Sequence, residues 1–182
     1  RQRFIAKQLG RKTGKGFYDY TSGSKVGDVA PTLVEKLDQY PSVWLGTEYS
    51  EDRQALEQYL QQFNIQIEQT DAPSADALIL IATYGEDATS AAVRYQVSPQ
   101  QVVCIDLLYG LNKHRTLMPT FVTKAELINA AQSIFNLDGV TASTIQESVG
   151  FVAQRALAMI VNLGCDIAQQ GVATVEDINV AV

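Results

Sequence analysis

The sequence of 182 residues is poor in the side chains that stabilise small proteins by cross-links or metals. It contains two cysteines, Cys104 and Cys165, and one histidine, His114. Two cysteines cannot build a disulfide framework, and two thiols with one imidazole cannot supply four ligands to a structural zinc. A chain of this length buries a sufficient core without such help. We therefore expect no metal site, and a reducing, cytoplasmic location.

Long apolar runs and low-complexity segments are also missing. No stretch approaches the ~18 apolar residues that a membrane-spanning helix needs, and we expect neither a membrane span nor a signal peptide. Glycine and proline are few, with 12 and 5 residues, and the apolar and charged shares are 46% and 19%. These values are typical of one ordinary globular domain or two small ones.

Positive charge is scarce outside the N-terminal end. The sequence has 14 Lys and Arg against 20 Asp and Glu, a net charge of −6. Six of the basic residues lie between Arg1 and Tyr20, with a single Asp. Because an acidic chain repels polyanions, we expect neither nucleic acid nor an anionic membrane as a partner. The basic arm is either a linker or docking segment or a site for a phosphate.

Both ends of the sequence predict a fragment of a longer protein. The chain opens with Arg1 rather than Met, and its last residues, 174–182, are typical of a helix start. Thr174 has the position of an N-cap, and Asp177 follows three residues later. A helix of little more than one turn is rarely stable alone, so we expect it to continue in a longer protein. Functional residues are then expected outside the 182 residues of this sequence.

Apolar runs alternate with amphipathic stretches from Pro41 to Ile145. Strands are predicted at residues 43–46, 65–68, 77–82, 102–105, 117–122 and 139–144. Helices are predicted at residues 51–63 (capped by Ser50), 87–95 and 124–135. This alternation implies a parallel sheet with helices on its faces. The predicted fold class is α/β, a small parallel-sheet Rossmann-like domain flanked by helical segments.

A different pattern begins at Ser148. A helix is predicted up to Gln170, and Gly171 is suited to end it. Its apolar residues form one stripe at helical spacing: Val152, Ala156, Met159, Leu163 and Ile167. Such a stripe is typical of the core of a separate helical unit.

Two turns between strand and helix could bind a dinucleotide, residues 46–52 and 83–88. Each has one glycine, whereas the fingerprint for a pyrophosphate has three. Each also places acidic residues at the start of a helix, where they suit the helix dipole and repel a pyrophosphate. We therefore predict that this chain does not bind NAD and has no cofactor-binding residues.

Catalytic residues are not expected either. His114 lies in a basic loop, and Asp106 could orient it as a general base, although a surface histidine without a role is the alternative. Asp106 and Thr83 at strand ends suggest a phospho-acceptor domain, but the acidic pair and the lysine of that chemistry are missing. Cys104 lies within an apolar strand and is expected to be an unreactive core residue. The sequence has no nucleophile elbow and no phosphate-binding loop.

Two motifs resemble parts of one known domain. LGRKTGKGFYDY at residues 9–20 resembles the end of the C-terminal domain of the 3-hydroxyacyl-CoA dehydrogenases. SVGFVAQR at 148–155, continued by GVATVEDI at 171–178, resembles the start of the same domain type. This order is similar to that of long bacterial 3-hydroxybutyryl-CoA dehydrogenases, in which a reduced Rossmann-like domain separates two helical C-terminal repeats. The middle of the chain matches by position and pattern only.

The resemblance implies three segments: residues 1–27 (end of the first repeat plus linker), 28–147 (the reduced Rossmann-like domain) and 148–182 (start of the second repeat). It implies a whole enzyme of fatty acid metabolism that oxidises 3-hydroxyacyl-CoA with NAD, with its catalytic His, Glu and Ser before Arg1. The fragment is then architectural, its partner an acyl-CoA through the whole enzyme. The alternative is an accessory module that binds acyl-CoA or mediates oligomerisation. In the first case Lys12 and Lys15 contact the CoA phosphates, and in the second the protein is a homo-oligomer.

The sequence departs from the family pattern at two positions. Gln154 stands where the family has Asn, and Val149 stands where it has Pro. Gln retains the amide but displaces it by about 1 Å, enough to cost ~10²-fold in a positioned site. We therefore interpret the second repeat as structural, with its stripe in a helical core or a dimer-like interface. Arg155 is then an ion-pair or capping residue.

Overall fold

The computed structural model describes residues 6–7, 9–15, 20 and 36–181. The chain divides into two compact units, residues 1–32 and 33–182. In the first unit, one turn of 3-10 helix at Arg11–Thr13 is enclosed by a bridge between Gly10 and Lys15. The side chains of Lys12 and Lys15 are exposed. The linker predicted within residues 1–27 lies largely outside the described residues, and the three predicted segment limits stay a prediction.

The second unit is built on a five-stranded sheet whose strands lie in chain order. The strands are β1 (Val43–Gly46), β2 (Leu78–Ala82), β3 (Val102–Ile105), β4 (Arg115–Pro119) and β5 (Ala142–Thr144). The helices are α1 (Ser50–Gln62), α2 (Ala88–Tyr95), α3 (Ala125–Ile134), α4 (Val152–Gln169) and α5 (Val175–Ala181). The α/β class is confirmed. Among the described residues, no helix is both long enough and apolar enough to cross a bilayer.

The sheet is mixed rather than purely parallel. β1, β2 and β3 pair in parallel, as do β4 and β5, but β3 and β4 pair antiparallel. Residues 106–114 join β3 to β4 without a helix, and a crossover to a parallel strand needs a dozen or more residues. The expectation of a parallel sheet is therefore wrong for this one pairing.

Alternating side chains of the sheet build two apolar layers. Leu78 and Leu80 of β2 pack with α1 and α3 on one face, whereas Ile79 and Ile81 pack with α2 on the other. Phe151, just before α4, is fully buried in the second layer. The start of α4 is thus anchored in the same core as the sheet.

Three local expectations are corrected. Tyr49 rather than Ser50 is the N-cap of α1. Residues 65–68 contribute an isolated bridge between Ile67 and Val43 instead of a strand, although Ile65 is buried. The predicted strand at 117–122 begins earlier, at Arg115, and ends at Pro119, so Phe121 lies in an exposed turn.

The helix predicted between Ser148 and Gln170 forms from Val152 to Gln169, but its apolar stripe is not buried within the described part of this chain. Of the described residues of α4, none is buried, and Met159 and Leu163 are 68% and 57% exposed. Gly171 has a φ of +68°, as a residue that ends a helix often has. α5 then starts with the predicted cap, since Thr174 and Asp177 exchange hydrogen bonds.

Arg115 is buried beside the loop before β4. Its guanidinium donates to the carbonyl oxygens of Leu111 and Phe135 (2.7 and 2.5 Å), to the Tyr59 hydroxyl (3.2 Å), and to both carboxylate oxygens of Asp138 (2.8 and 2.5 Å). It also lies 4.6 Å over the Tyr59 ring. One buried cation therefore connects α1, the end of α3 and the loop that reverses the chain into β4.

Candidate functional site at the sheet edge

The C-terminal ends of β1, β2 and β3 form the edge at which open α/β sheets bind their ligands. The turns after β1 and β2 both carry glutamates, and Arg94 of α2 pairs with both of them. Its Nη1 lies 2.7 Å from Glu48 Oε1, and its Nη2 lies 2.7 Å from Glu86 Oε2. These two carboxylates are therefore held by a cation of the chain, which the sequence reading did not foresee.

A tyrosine covers the start of α1. The Tyr84 hydroxyl donates to both carboxylate oxygens of Asp52, at 3.0 and 2.9 Å, and its ring packs edge-on against Tyr49. Burial raises the pKa of the Asp52 carboxyl, and the hydrogen bond from Tyr84 opposes that rise. Burial and Asp52 raise the pKa of Tyr84, so the tyrosine stays a neutral donor.

Two carboxylates use the free N–H groups at the start of α2. Asp87, the N-cap, accepts from the Ser90 N–H at 2.7 Å. Glu147 arrives from the segment after β5, accepts from the Thr89 N–H at 2.5 Å, and accepts from the Phe121 N–H at 3.2 Å. A helix N-terminus is where a phosphate is bound in nucleotide-binding turns. In this turn the chain's own anions occupy that position.

Gln154 joins α4 to the sheet edge through its amide. Its Oε1 accepts from the Gly85 N–H at 2.8 Å, and more weakly from the Phe151 N–H at 3.4 Å. Its Nε2 donates to the Thr83 carbonyl at 2.8 Å and to Asp106 Oδ1 at 2.9 Å. Both N–H groups and the carbonyl oxygen of this amide are therefore satisfied.

Two glycines let α4 approach this closely. Gly85 and Gly150 have φ values of +71° and +69°, a conformation that favours glycine. A Cβ on Gly150 would lie 3.2 Å from the Cα of Gly85. A side chain at residue 150 would therefore push the start of α4 away from the turn after β2.

Beside the Gln154 amide lies an open groove of about 690 Å³. Tyr84 and Leu108 line its sheet side, and Leu157, Val161 and Cys165 line its α4 side. Most of the lining side chains are apolar, and Gly85 and Gln154 also belong to the lining. The groove can accept an apolar body whose polar end faces the sheet edge.

The other residues singled out in the sequence do not join this edge. Nδ1 of His114 lies 2.8 Å from Thr141 Oγ1, whereas Asp106 accepts from Gln154 and from the Leu108 N–H. The pair of His114 and Asp106 is therefore not formed. Burial raises the pKa of the Cys104 thiol to about 12, which fits an unreactive core residue.

Sequence reasoning missed the contacts that organise the edge. Gln154 is noticeable in the sequence by its departure from the family motif, but its partners at the sheet edge lie 48 to 71 residues away along the chain. Arg94 and Glu147 belong to no motif that the sequence analysis recognises. Arg155, interpreted as an ion-pair or capping residue, is exposed at the start of α4 and borders the groove.

The family motif that begins at residue 148 overlaps a match found by comparison with known proteins. Residues 150–182 match the family model of the 3-hydroxyacyl-CoA dehydrogenase C-terminal domain. A curated relative, the 3-hydroxyadipyl-CoA dehydrogenase of Escherichia coli (strain K12), is 26% identical over 98% of this chain. The chain spans about a third (32%) of that relative's length.

One solved structure is similar in sequence and fold, and a second is similar in fold alone. The crystal structure of 3-hydroxybutyryl-CoA dehydrogenase from Escherichia coli K12 is 26% identical in sequence, with a TM-score of 0.64. The match covers 99% of this chain and 32% of the dehydrogenase chain. An (S)-3-hydroxybutyryl-CoA dehydrogenase from Ralstonia eutropha is 12% identical, covers 76% of this chain and 75% of its own, and shares the fold with a TM-score of 0.53. The resemblance to the 3-hydroxyacyl-CoA dehydrogenase family is thus confirmed, and from residue 150 the sequence matches the C-terminal domain of that family.

Proposed function

We propose that this chain is an architectural module of an NAD-dependent 3-hydroxyacyl-CoA dehydrogenase, one that positions helices of the enzyme and has no catalytic residues of its own. The observation that supports it most directly is the amide of Gln154. At the sheet edge where a cofactor would bind, this side chain hydrogen-bonds the turns after β2 and β3. The sheet then serves to position α4, the first helix of the second C-terminal repeat.

We also propose that the coenzyme binds elsewhere in the whole enzyme. Asp87 and Glu147 already accept from the N–H groups of α2 that a pyrophosphate would use, and each would repel it. Isothermal calorimetry with NADH should therefore give no binding heat with this chain. Micromolar affinity would contradict the proposal.

The exposed apolar side chains of α4 support a structural role for the second repeat. An exposed row of large apolar residues marks a surface that another protein element covers. We propose that this row packs in a helical core or in a dimer-like interface of the whole enzyme. In the whole enzyme, Leu163→Glu should lower stability or dissociate subunits, whereas Val93→Glu, at a 72% exposed position of α2, should change neither.

The alternative role is direct binding of acyl-CoA through the basic arm. Lys12 and Lys15 are exposed in the described part of that arm, and their charge suits the CoA phosphates. Kinetics of the whole enzyme with Lys12→Ala and Lys15→Ala separate the two roles. A large rise in KM for acyl-CoA at unchanged stability favours contact, and unchanged kinetics favours architecture.

A further inference from the structure

The partners of Gln154 form an arrangement that selects one kind of ligand. The Gly85 N–H is a donor, and the Thr83 carbonyl and the Asp106 carboxylate are two acceptors. A primary carboxamide complements all three, because its oxygen accepts once and its nitrogen donates twice. A carboxylate has no hydrogen to donate and would face the carboxylate of Asp106. A tertiary amide keeps the oxygen but has no N–H.

These three groups belong to the sheet and not to α4. Thr83 and Gly85 lie in the turn after β2, and Thr83 is 1% exposed. Asp106 directly follows β3, and its Oδ1 also accepts from the Leu108 N–H at 3.1 Å, which fixes the carboxylate. The arrangement is therefore expected to persist when the side chain of residue 154 is removed.

The position is also connected to open space. Gly85 and Gln154 line the groove of about 690 Å³, together with Tyr84 and Leu108. A molecule with a terminal carboxamide and an apolar body could place the first at the sheet edge and the second along the groove.

We propose that Thr83, Gly85 and Asp106 form a binding site for primary carboxamides, which Gln154 occupies as an internal ligand. In the native chain the tethered amide has a high effective concentration and excludes external ligands. Displacing or removing it exposes the site. This inference does not depend on the proposed function, because the site can bind an amide whatever the whole enzyme does.

The test is rescue of the Gln154→Ala variant of the full chain by acetamide, which replaces the atoms that the substitution removes. Two-dimensional NMR should show a saturable shift of the Gly85 amide signal, with a Kd at least about tenfold lower than that for acetate. N,N-dimethylacetamide, which lacks N–H groups, should behave like acetate. The native chain and Gln154→Met, which fills the space with apolar atoms, should not respond to acetamide at the same concentrations.

The outcomes distinguish the proposal from a merely structural role of Gln154. If Gln154→Ala is unfolded, acetamide should restore its dispersed spectrum while acetate does not. An equal response to acetamide and acetate overturns the proposal, as does no saturable response in a folded variant or no recovery of an unfolded one. Adding Asp106→Ala to Gln154→Ala should abolish the preference for acetamide, and a retained preference would also count against the site.

Discussion

Replacing Arg115 by Ala is expected to be among the most destabilising single changes in the sheet unit. Its side chain is 1% exposed, whereas that of Asp138 is 25% exposed. The substitution removes five hydrogen bonds and leaves the carbonyl oxygens of Leu111 and Phe135 without this donor. Breaking a buried, hydrogen-bonded ion pair costs about 3–5 kcal/mol, which is a large share of a typical stability of about 5–15 kcal/mol.

Urea unfolding followed by circular dichroism measures this loss. Lys113→Ala provides the control, because Lys113 is an exposed cation of the same loop and should change the free energy of unfolding by less than about 0.5 kcal/mol. Arg115→Lys keeps the charge but loses the planar fork that binds Asp138 through two oxygens, so its loss should be intermediate. A loss below about 1 kcal/mol for Arg115→Ala would refute this account of the cluster.

The same ion pair predicts a pH dependence. The hydrogen bonds from Arg115 hold the pKa of Asp138 below its usual value. A carboxyl with a lowered pKa in the folded state stabilises the protein above its unfolded pKa of about 3.9, and that contribution is lost as the pH falls through the folded pKa. Below about pH 4, the free energy of unfolding should therefore fall more steeply for the native chain than for Asp138→Asn. Parallel pH profiles would contradict the linkage.

Three further predictions concern α4, the thiols and α2. Gly150→Ala should weaken the packing of α4 on the sheet edge, which faster hydrogen exchange in α4 would report. Gly171→Ala is the control and should have a smaller effect: both glycines have a positive φ, but of the two only Gly150 has backbone atoms where a Cβ would lie. Native protein should react with a thiol reagent at exposed Cys165 and only on unfolding at Cys104, whose burial raises its pKa to about 12. Asp87→Ala should lower the free energy of unfolding, measured with heat or urea, by about 1 kcal/mol because α2 loses its N-cap. An unchanged free energy of unfolding would show that Glu147 alone is sufficient to cap the helix.

The sequence predicted the elements whose signal is local. Residues 78–82 are apolar without interruption because β2 has a strand on each side and a helical layer on both faces. The amphipathic stretches at α1 and α3 carry their buried residues at helical spacing. Thr174 and Asp177 were recognisable because a capping pair is separated by three residues. In each case the physical cause lies within a few residues.

What the sequence could not show depends on distant partners. The antiparallel pairing of β4 with β3 follows from the short connection between these two strands. The alternation of apolar residues along β4 is the same whether the strand pairs parallel or antiparallel, so the sequence pattern does not reveal the direction. The burial of Arg115 required three segments to converge: α1, the end of α3 and the loop before β4. The stripe of α4 was readable as apolar, but the pattern alone does not say whether the same chain covers it.

The structure changes the physical reason for predicting that no coenzyme binds at the sheet edge. The sequence predicts that the acidic residues of the turns after β1 and β2 repel a pyrophosphate, but two of them, Glu48 and Glu86, are paired with Arg94, so their repulsion is weakened. The stronger obstacle is competition for the same backbone groups. A dinucleotide at the turn after β2 would have to displace Gln154 from the Gly85 N–H and Glu147 from the Thr89 N–H. Binding there would therefore release the start of α4, and a coenzyme that bound without faster hydrogen exchange in α4 would show that this competition does not exist.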